Sequence, residues 1–161
     1  MPQFILAHGC AQTEGEFNKR PAFVQGYVEA LFFTEESPSL YTEEFEALIA
    51  AEKDIPEGSF PADCTPDDLS AEAWADIERD CEAFQKAAAD ALEKAYATGY
   101  TEEQAGRDFW FTRNGHGAGF WDRGELDFAV GHLMTLGERL TDAAKKFGEV
   151  YVTYGNGEIW L

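Results

Sequence analysis

The stretch Glu149-Val-Tyr-Val-Thr-Tyr-Gly-Asn-Gly-Glu-Ile-Trp-Leu161 decides between an all-helical chain and a mixed one. β-Branched and aromatic residues flank Asn156-Gly157, a dipeptide that tolerates the positive φ angles of a two-residue hairpin turn. A β-hairpin is therefore predicted, with strands at 149–154 and 158–161. Just before it, Leu136, Leu140, Ala143, Ala144 and Phe147 recur at helical spacing, and Gly148 supplies the stop. The end of the chain is thus read as a helix followed by a hairpin.

Helices are predicted further upstream. Pro21 precedes a run with apolar residues at 23, 24, 27, 28, 31 and 32, which share one helical face, and Pro38 ends it. Thr42 caps a second helix over about 42–53, with Phe45, Leu48 and Ile49 inward and Glu43, Glu44 and Glu46 at the positive end of its dipole. Asp54–Cys64 reads as a loop. Thr65-Pro-Asp-Asp68 is an N-terminal helix signal, and the longest helix is expected from Ser70 to about Thr98. Its apolar positions Trp74, Ile77, Cys81, Phe84, Ala88, Ala91 and Ala95 step by three and four, a narrow seam that suits a helix of the same chain and also allows symmetric association. Thr101-Glu-Glu-Gln104 is a capping box that opens a helix ending before Gly115.

These elements predict an α+β fold: several helices on a small antiparallel sheet that includes the C-terminal hairpin and a strand over Gly117–Asp122. Gln3–Ala7 reads as an edge strand, followed by irregular chain. Length and composition predict one domain over 1–161. Within it, 1–22 is a peripheral segment, 29–82 an acidic helical region, and 101–161 a loop, helix and hairpin.

The segment Arg107-Asp-Phe-Trp-Phe-Thr-Arg-Asn-Gly-His-Gly-Ala-Gly-Phe-Trp-Asp-Arg123 is the densest in binding-capable side chains. Two readings compete for it. As chemistry, His116 is a general base oriented by Asp122 or Asp108; Arg107, Arg113 or Arg123 neutralises an anionic substrate, and Asn114 donates to an oxyanion. As structure, Trp110, Phe120 and Trp121 are core, Arg107–Asp108 and Asp122–Arg123 are ion pairs, and Arg113 with Asn114 satisfies loop carbonyls. No phosphate-binding loop, dinucleotide fingerprint or nucleophile elbow is present, and no cofactor is expected. Three cysteines at wide spacing, Cys10, Cys64 and Cys81, argue against a disulfide framework. His8-x-Cys10 has no second ligand pair at zinc spacing, so no metal site is expected.

The formal net charge is −19, with 45% hydrophobic residues. The apolar content excludes charge-driven disorder, and no apolar run approaches a membrane span, so a cytoplasmic protein is expected. Residues 29–82 hold seventeen Asp and Glu against Lys53 and Arg79; the other 107 residues hold fourteen acids and ten bases. Such a region reads either as a solvated face or as an interaction surface, since its field repels nucleic acid and anionic membranes and attracts basic protein surfaces.

Asp108-Phe-Trp-Phe-Thr-Arg-Asn-Gly-His-Gly-Ala-Gly-Phe-Trp-Asp122, with Leu140–Glu149 and the hairpin, resembles a family of small proteins encoded by bacteriophages, prophages and plasmids. Phe23–Leu31 and Asp80-Cys-Glu-Ala-Phe84 are similar to that family's earlier segments. Thr42–Asp63 and Glu125–Thr135 are longer than its usual pattern. The resemblance implies a mobile-element origin and brings no mechanism with it. Charge and resemblance together lead to one expectation: an accessory protein that binds a basic host protein, such as a defence nuclease, and inhibits it by imitating DNA. The partner-binding residues expected are Glu43, Glu44, Glu46, Asp67, Asp68, Glu72, Asp76 and Asp80. The alternative is a small enzyme or ligand-binding protein using Arg113, Asn114, His116 and Asp122.

Overall fold

In a computed structural model that describes residues 15–36, 59–62, 64–131 and 133–161, five α-helices and one two-stranded sheet lie among those residues. Helix α1, Ala22–Glu35, starts behind Pro21, and the chain leaves it extended at Glu36. All six apolar positions that define its predicted face are buried, and so are Gly26, Glu29 and Ala30. The helix is therefore covered on more sides than an amphipathic stripe implies. The expected strand at Gln3–Ala7, the helix over 42–53 and the pair His8 and Cys10 lie outside the described residues. Phe17, in the segment read as peripheral, is buried within a 3-10 turn over Glu16–Lys19.

Thr65-Pro-Asp-Asp68 makes a single 3-10 turn rather than the start of the long helix. Thr65 and Asp68 complete a reciprocal cap, Leu69 returns to extended geometry, and Ser70 caps the next helix by accepting from the Ala73 amide at 3.0 Å. That helix is also not continuous to Thr98. It divides into α2, Ala71–Ala87, and α3, Ala89–Tyr96, at Ala88, whose φ and ψ are −106° and 15°. Nothing in Gln85-Lys-Ala-Ala-Ala-Asp90 breaks a helix by propensity. The bend is tertiary: beyond Phe84 the seam shrinks to alanines, and α3 contacts helix α5, Leu136–Lys145, where Arg139 reaches Asp90 at 3.0 Å. Every seam residue from Trp74 to Ala95 is buried, as the spacing predicts.

Helix α4 spans Glu102–Asn114 and carries both halves of the predicted capping box: Gln104 N–H donates to Thr101 Oγ1 at 3.2 Å, and Thr101 N–H to Gln104 Oε1 at 3.1 Å. Gly115 ends it in the left-handed region at φ 68°. Helix α5 has a box of the same kind, from Thr135 and Glu138, which the sequence reading passed over.

The hairpin forms around Asn156-Gly157, both at positive φ, but its paired strands are short: β1 is Thr153–Gly155 and β2 is Glu158–Trp160. The predicted third strand is absent from the sheet. Phe120–Asp122 is a 3-10 turn, and the hairpin instead meets the chain entering α2, where Leu69 bridges Ile159 and the Ser70 amide donates to the Ile159 carbonyl at 2.9 Å. The fold remains α+β, with the hairpin docked on helices rather than extended into a broader sheet.

Aromatic rings form the centre. Phe84 of α2 stacks on Phe109 of α4 with centroids 4.2 Å apart; Phe120 lies 5.7 Å from Phe84, and Phe147 meets Phe109 edge-on at 5.2 Å. Such pairs contribute about 0.5–1.5 kcal/mol each beyond the area they bury. At the crossing of α1 and α4, Gly26 and Gly106 bring backbone against backbone.

Candidate functional site

The motif 107–123 occupies most of α4 and the loop that follows, and its side chains radiate into every other layer. Arg107 pairs with Glu29 of α1 at 3.1 Å, not with its neighbour Asp108. Burial raises the Glu29 pKa, and the Arg107 guanidinium opposes that rise. Asp108 is buried and receives Arg123 in a fork, with Nε at 2.9 Å from Oδ2 and Nη2 at 2.6 Å from Oδ1. Tyr100 donates its hydroxyl to the same carboxylate. Burial, with Asp108 beside it, pushes the Tyr100 pKa far up, and the hydrogen bond to Asp108 holds Arg123 firmly protonated. Of the two local pairs predicted, only Asp122–Arg123 persists, at 3.8 Å. The other, Arg107–Asp108, is replaced by the longer-range pairs Arg107–Glu29 and Arg123–Asp108, because the helix points Arg107 and Asp108 to different neighbours.

Arg113 is the most completely engaged group. Its side chain is only 3% exposed. Nε donates to the Gly148 carbonyl at 2.8 Å and Nη2 to the Phe147 carbonyl at 3.0 Å, while Nη1 donates to Tyr27 Oη at 3.2 Å and Asp80 Oδ2 at 2.9 Å. The guanidinium also lies over the Phe109 ring at 5.2 Å. Beside it Asn114 ties α4 to the hairpin segment, donating to the Trp110 carbonyl at 3.0 Å and accepting from the Val150 amide at 2.8 Å. Both residues are structural, but the carbonyls that Arg113 satisfies follow α5 rather than lying in the glycine loop, and Asn114 takes an amide there. A cleft of about 310 Å³ opens beside them, lined by Tyr27, Asp76, Asp80, Arg113, Glu149 and Tyr151 among others.

Trp110 and Phe120 are fully buried, and Trp110 Nε1 donates to Thr34 Oγ1 at 2.8 Å. Trp121, expected in the core, is 54% exposed. The reason lies at Gly119. A Cβ there would come within 2.2 Å of Thr112 Oγ1, and that hydroxyl accepts the Phe120 amide at 3.2 Å. This grip sends Phe120 inward, and the following residue of the turn faces out.

His116 stands apart. It lies against Trp110, with ring centroids 6.2 Å apart, and its side chain makes no hydrogen bond among the described residues. Among the described residues the carboxylate nearest to it is Glu35, with Oε1 at 3.7 Å from Nε2. Ser59 donates to the other oxygen of Glu35 through its hydroxyl and to the Glu35 carbonyl through its amide. Asp108 is committed to Arg123 and Tyr100, and Asp122 accepts from the Gly119 amide at 3.3 Å. Arg113, Asn114, His116 and Asp122 therefore each serve a different neighbour. Glu35 and Ser59 had no signal in the sequence, since neither is near the motif in chain order.

No protein-family model, characterised protein or solved structure matches this chain.

Five of the eight expected partner-binding carboxylates are among the described residues. Asp67 accepts the Glu16 amide at 2.9 Å, and Asp68 accepts the Thr65 amide at 2.7 Å. Asp76 and Asp80 both hold Arg79, and Asp80 holds Arg113 as well. Glu72 alone of the five is exposed with no hydrogen bond or ion pair among the described residues. Glu43, Glu44 and Glu46 lie outside those residues. Glu82, Glu93, Glu102 and Asp142 are exposed in the same way as Glu72 and are not among the eight expected partner-binding residues.

Among the described residues no group of three or more His, Cys, Asp or Glu side chains is placed to hold a metal ion, and no helix is long and apolar enough to cross a membrane.

Proposed function

We propose that this chain is an acidic accessory protein of phage or plasmid type that binds a basic, nucleic-acid-handling host protein and blocks it by presenting carboxylates where the partner receives phosphates. The carrying observation is how the charges are spent. All six arginines are ion-paired inside the protein: Arg20 with Glu78, Arg79 with Asp76 and Asp80, Arg107 with Glu29, Arg113 with Asp80, Arg123 with Asp108 and Arg139 with Asp90. Among the described residues Glu72, Glu82, Glu93, Glu102 and Asp142 are exposed and make no ion pair, and they outnumber the exposed unpaired lysines Lys86, Lys145 and Lys146, so the outward field is dominated by carboxylates. A surface of this kind attracts a basic, polyanion-binding groove at long range and loses that attraction as salt rises. The test is affinity capture of host proteins at low salt, followed by competition with duplex DNA. The reading requires a partner that is released by salt and whose DNA binding falls when this protein is added. Capture that is insensitive to salt, or a partner that binds DNA and this protein together, sinks it.

A second reading takes the loop 114–122 as a ligand site. It is favoured by His116, a motif side chain that makes no hydrogen bond among the described residues and sits beside Glu35. His116→Ala with fold intact and biological effect unchanged removes that reading.

A further inference from the structure

The connection between the 3-10 turn Gly124–Leu126 and α5 is built as a projecting ladder. Val130 N–H donates to the Met134 carbonyl at 2.9 Å, Leu136 N–H donates to the Phe128 carbonyl at 2.9 Å, and Ala129 bridges Thr135 antiparallel. Both ends are fixed, because Leu126 and Leu136 are fully buried. What the ladder carries outward is apolar: Leu133 is fully exposed at its tip, and Phe128 and Met134 are each more than one-third exposed. Leu133 also has φ 142°, a backbone state that a leucine adopts only under constraint. Glu125 and Asp127 stand at the base of the ladder, exposed and without ion pairs among the described residues.

We propose that the residues Glu125–Gly131 and Leu133–Thr135, held by this ladder, form a docking element. It places Leu133 and Met134 in an apolar pocket of a basic partner protein, while Glu125 and Asp127 pair with lysines or arginines on the rim of that pocket. This rests on the reading of the chain as a binder of basic protein, and it adds where on the surface the contact is made. An apolar anchor held by backbone hydrogen bonds, with carboxylates at its base, concentrates binding energy in a few residues and has less ordering entropy to lose than a free loop. Charge complementarity selects the occupant. In a symmetric contact between two copies, Glu125 and Asp127 would face their own counterparts across a chain of net charge −19, and like charges brought together at an interface disfavour it. An anionic lipid surface is disfavoured by the same carboxylates.

The test uses the whole protein, isotope-labelled for amide NMR, and two synthetic peptides of equal charge, one of lysine and leucine and one of lysine and serine. The lysine–leucine peptide is expected to shift amides between Gly124 and Leu136. Leu133→Ser should weaken it by about tenfold or more, as loss of an anchor does. The double variant Glu125→Gln with Asp127→Gln should weaken it and flatten its salt dependence, and the lysine–serine peptide should bind more weakly. Both variants change exposed side chains, and unchanged amide spectra elsewhere verify their fold. If both peptides bind equally on α2 near Glu72 and Glu82, indifferent to Leu133, the loop assignment falls while the basic-partner reading stands. If neither peptide shifts any amide, both fall. Binding to phosphatidylcholine vesicles, or self-association in sedimentation, that Leu133→Ser abolishes would overturn the proposal in favour of lipid or a second copy.

Discussion

Gly26 and Gly106 are reciprocal: a Cβ on Gly26 would lie 2.0 Å from the Glu103 carbonyl oxygen, and a Cβ on Gly106 would lie 1.9 Å from that of Phe23. Each glycine faces the partner helix three residues before the other glycine. The neighbour in each case is backbone, which cannot rotate away as a side chain can. A mid-helix glycine is less stable than alanine by roughly 0.5–1 kcal/mol, so the crossing is kept against local propensity. Gly26→Ala and Gly106→Ala should each destabilise the protein by at least about 1–3 kcal/mol, the range of an overpacked core. Gly124, with nothing within 4 Å of its Cβ position, should accept alanine within about 0.5 kcal/mol. Urea unfolding midpoints compare the three, and a Gly26→Ala protein as stable as the parent would contradict the close crossing.

Arg113 supports the second prediction. Its planar fork reaches two carbonyls, a phenol and a carboxylate at once, a fan that a lysine ammonium cannot reproduce. Arg113→Lys should cost about 3–5 kcal/mol, as breaking a buried pair does. Asp80→Asn should cost less in the variant background than alone, giving a coupling of about 0.5–3 kcal/mol in a double-mutant cycle. Strict additivity would mean that the pair does not act as a unit.

Three of the six tyrosines should resist alkaline titration. Burial pushes the Tyr96 phenol up to about 12, with Glu102 and Glu103 adding to the shift, and it pushes Tyr27 and Tyr100 further still. Unfolded phenols titrate near ~10. Their contribution to stability is therefore complete below about pH 10 and is lost as pH rises through the folded values. Ultraviolet absorbance should show these three silent until the chain unfolds, and all six ionising together in guanidinium. Six simultaneous ionisations in the folded protein would refute the burial of these hydroxyls.

Glu29 should tilt stability the other way from an ordinary salt-bridged carboxylate. Burial raises its pKa despite Arg107. Its contribution is thus fully present below the unfolded glutamate value and is lost as pH rises through the folded one. The stability of the parent relative to Glu29→Gln should fall from pH 4 toward pH 7. A relative stability that rises with pH would show that the Arg107 pairing outweighs desolvation.

The parts of the fold legible in the chain are those set by neighbours in sequence. The box at Thr101–Gln104, the stop at Gly115 and the turn at Asn156-Gly157 are satisfied within a few residues, so local pattern suffices. The misreadings share one cause. Gly117–Asp122 has the residues of a strand, but Thr112 Oγ1 takes the Phe120 amide and Gly119 presses on Thr112, so no edge is free to pair. Ser70–Thr98 has the spacing of one helix and bends at Ala88 only because α3 has somewhere to go. At the motif, the residue types announced ion pairs but not their partners: Arg107 and Glu29 are 78 positions apart, Arg113 and Asp80 are 33 apart.

By itself the sequence determined the α+β class, the seam from Trp74 to Ala95, the caps, the hairpin turn and the surplus of negative charge. All of these follow from residue type and short-range periodicity. Tertiary structure alone decided that two glycines bring α1 against α4, that the arginines are consumed inside the protein, and that His116 is left beside Glu35. Only the folded chain, likewise, carries Leu133 out on a ladder anchored by Leu126 and Leu136. The physical reason is that a charge or an apolar side chain acquires its role from what lies across the fold, and chain order does not record that distance.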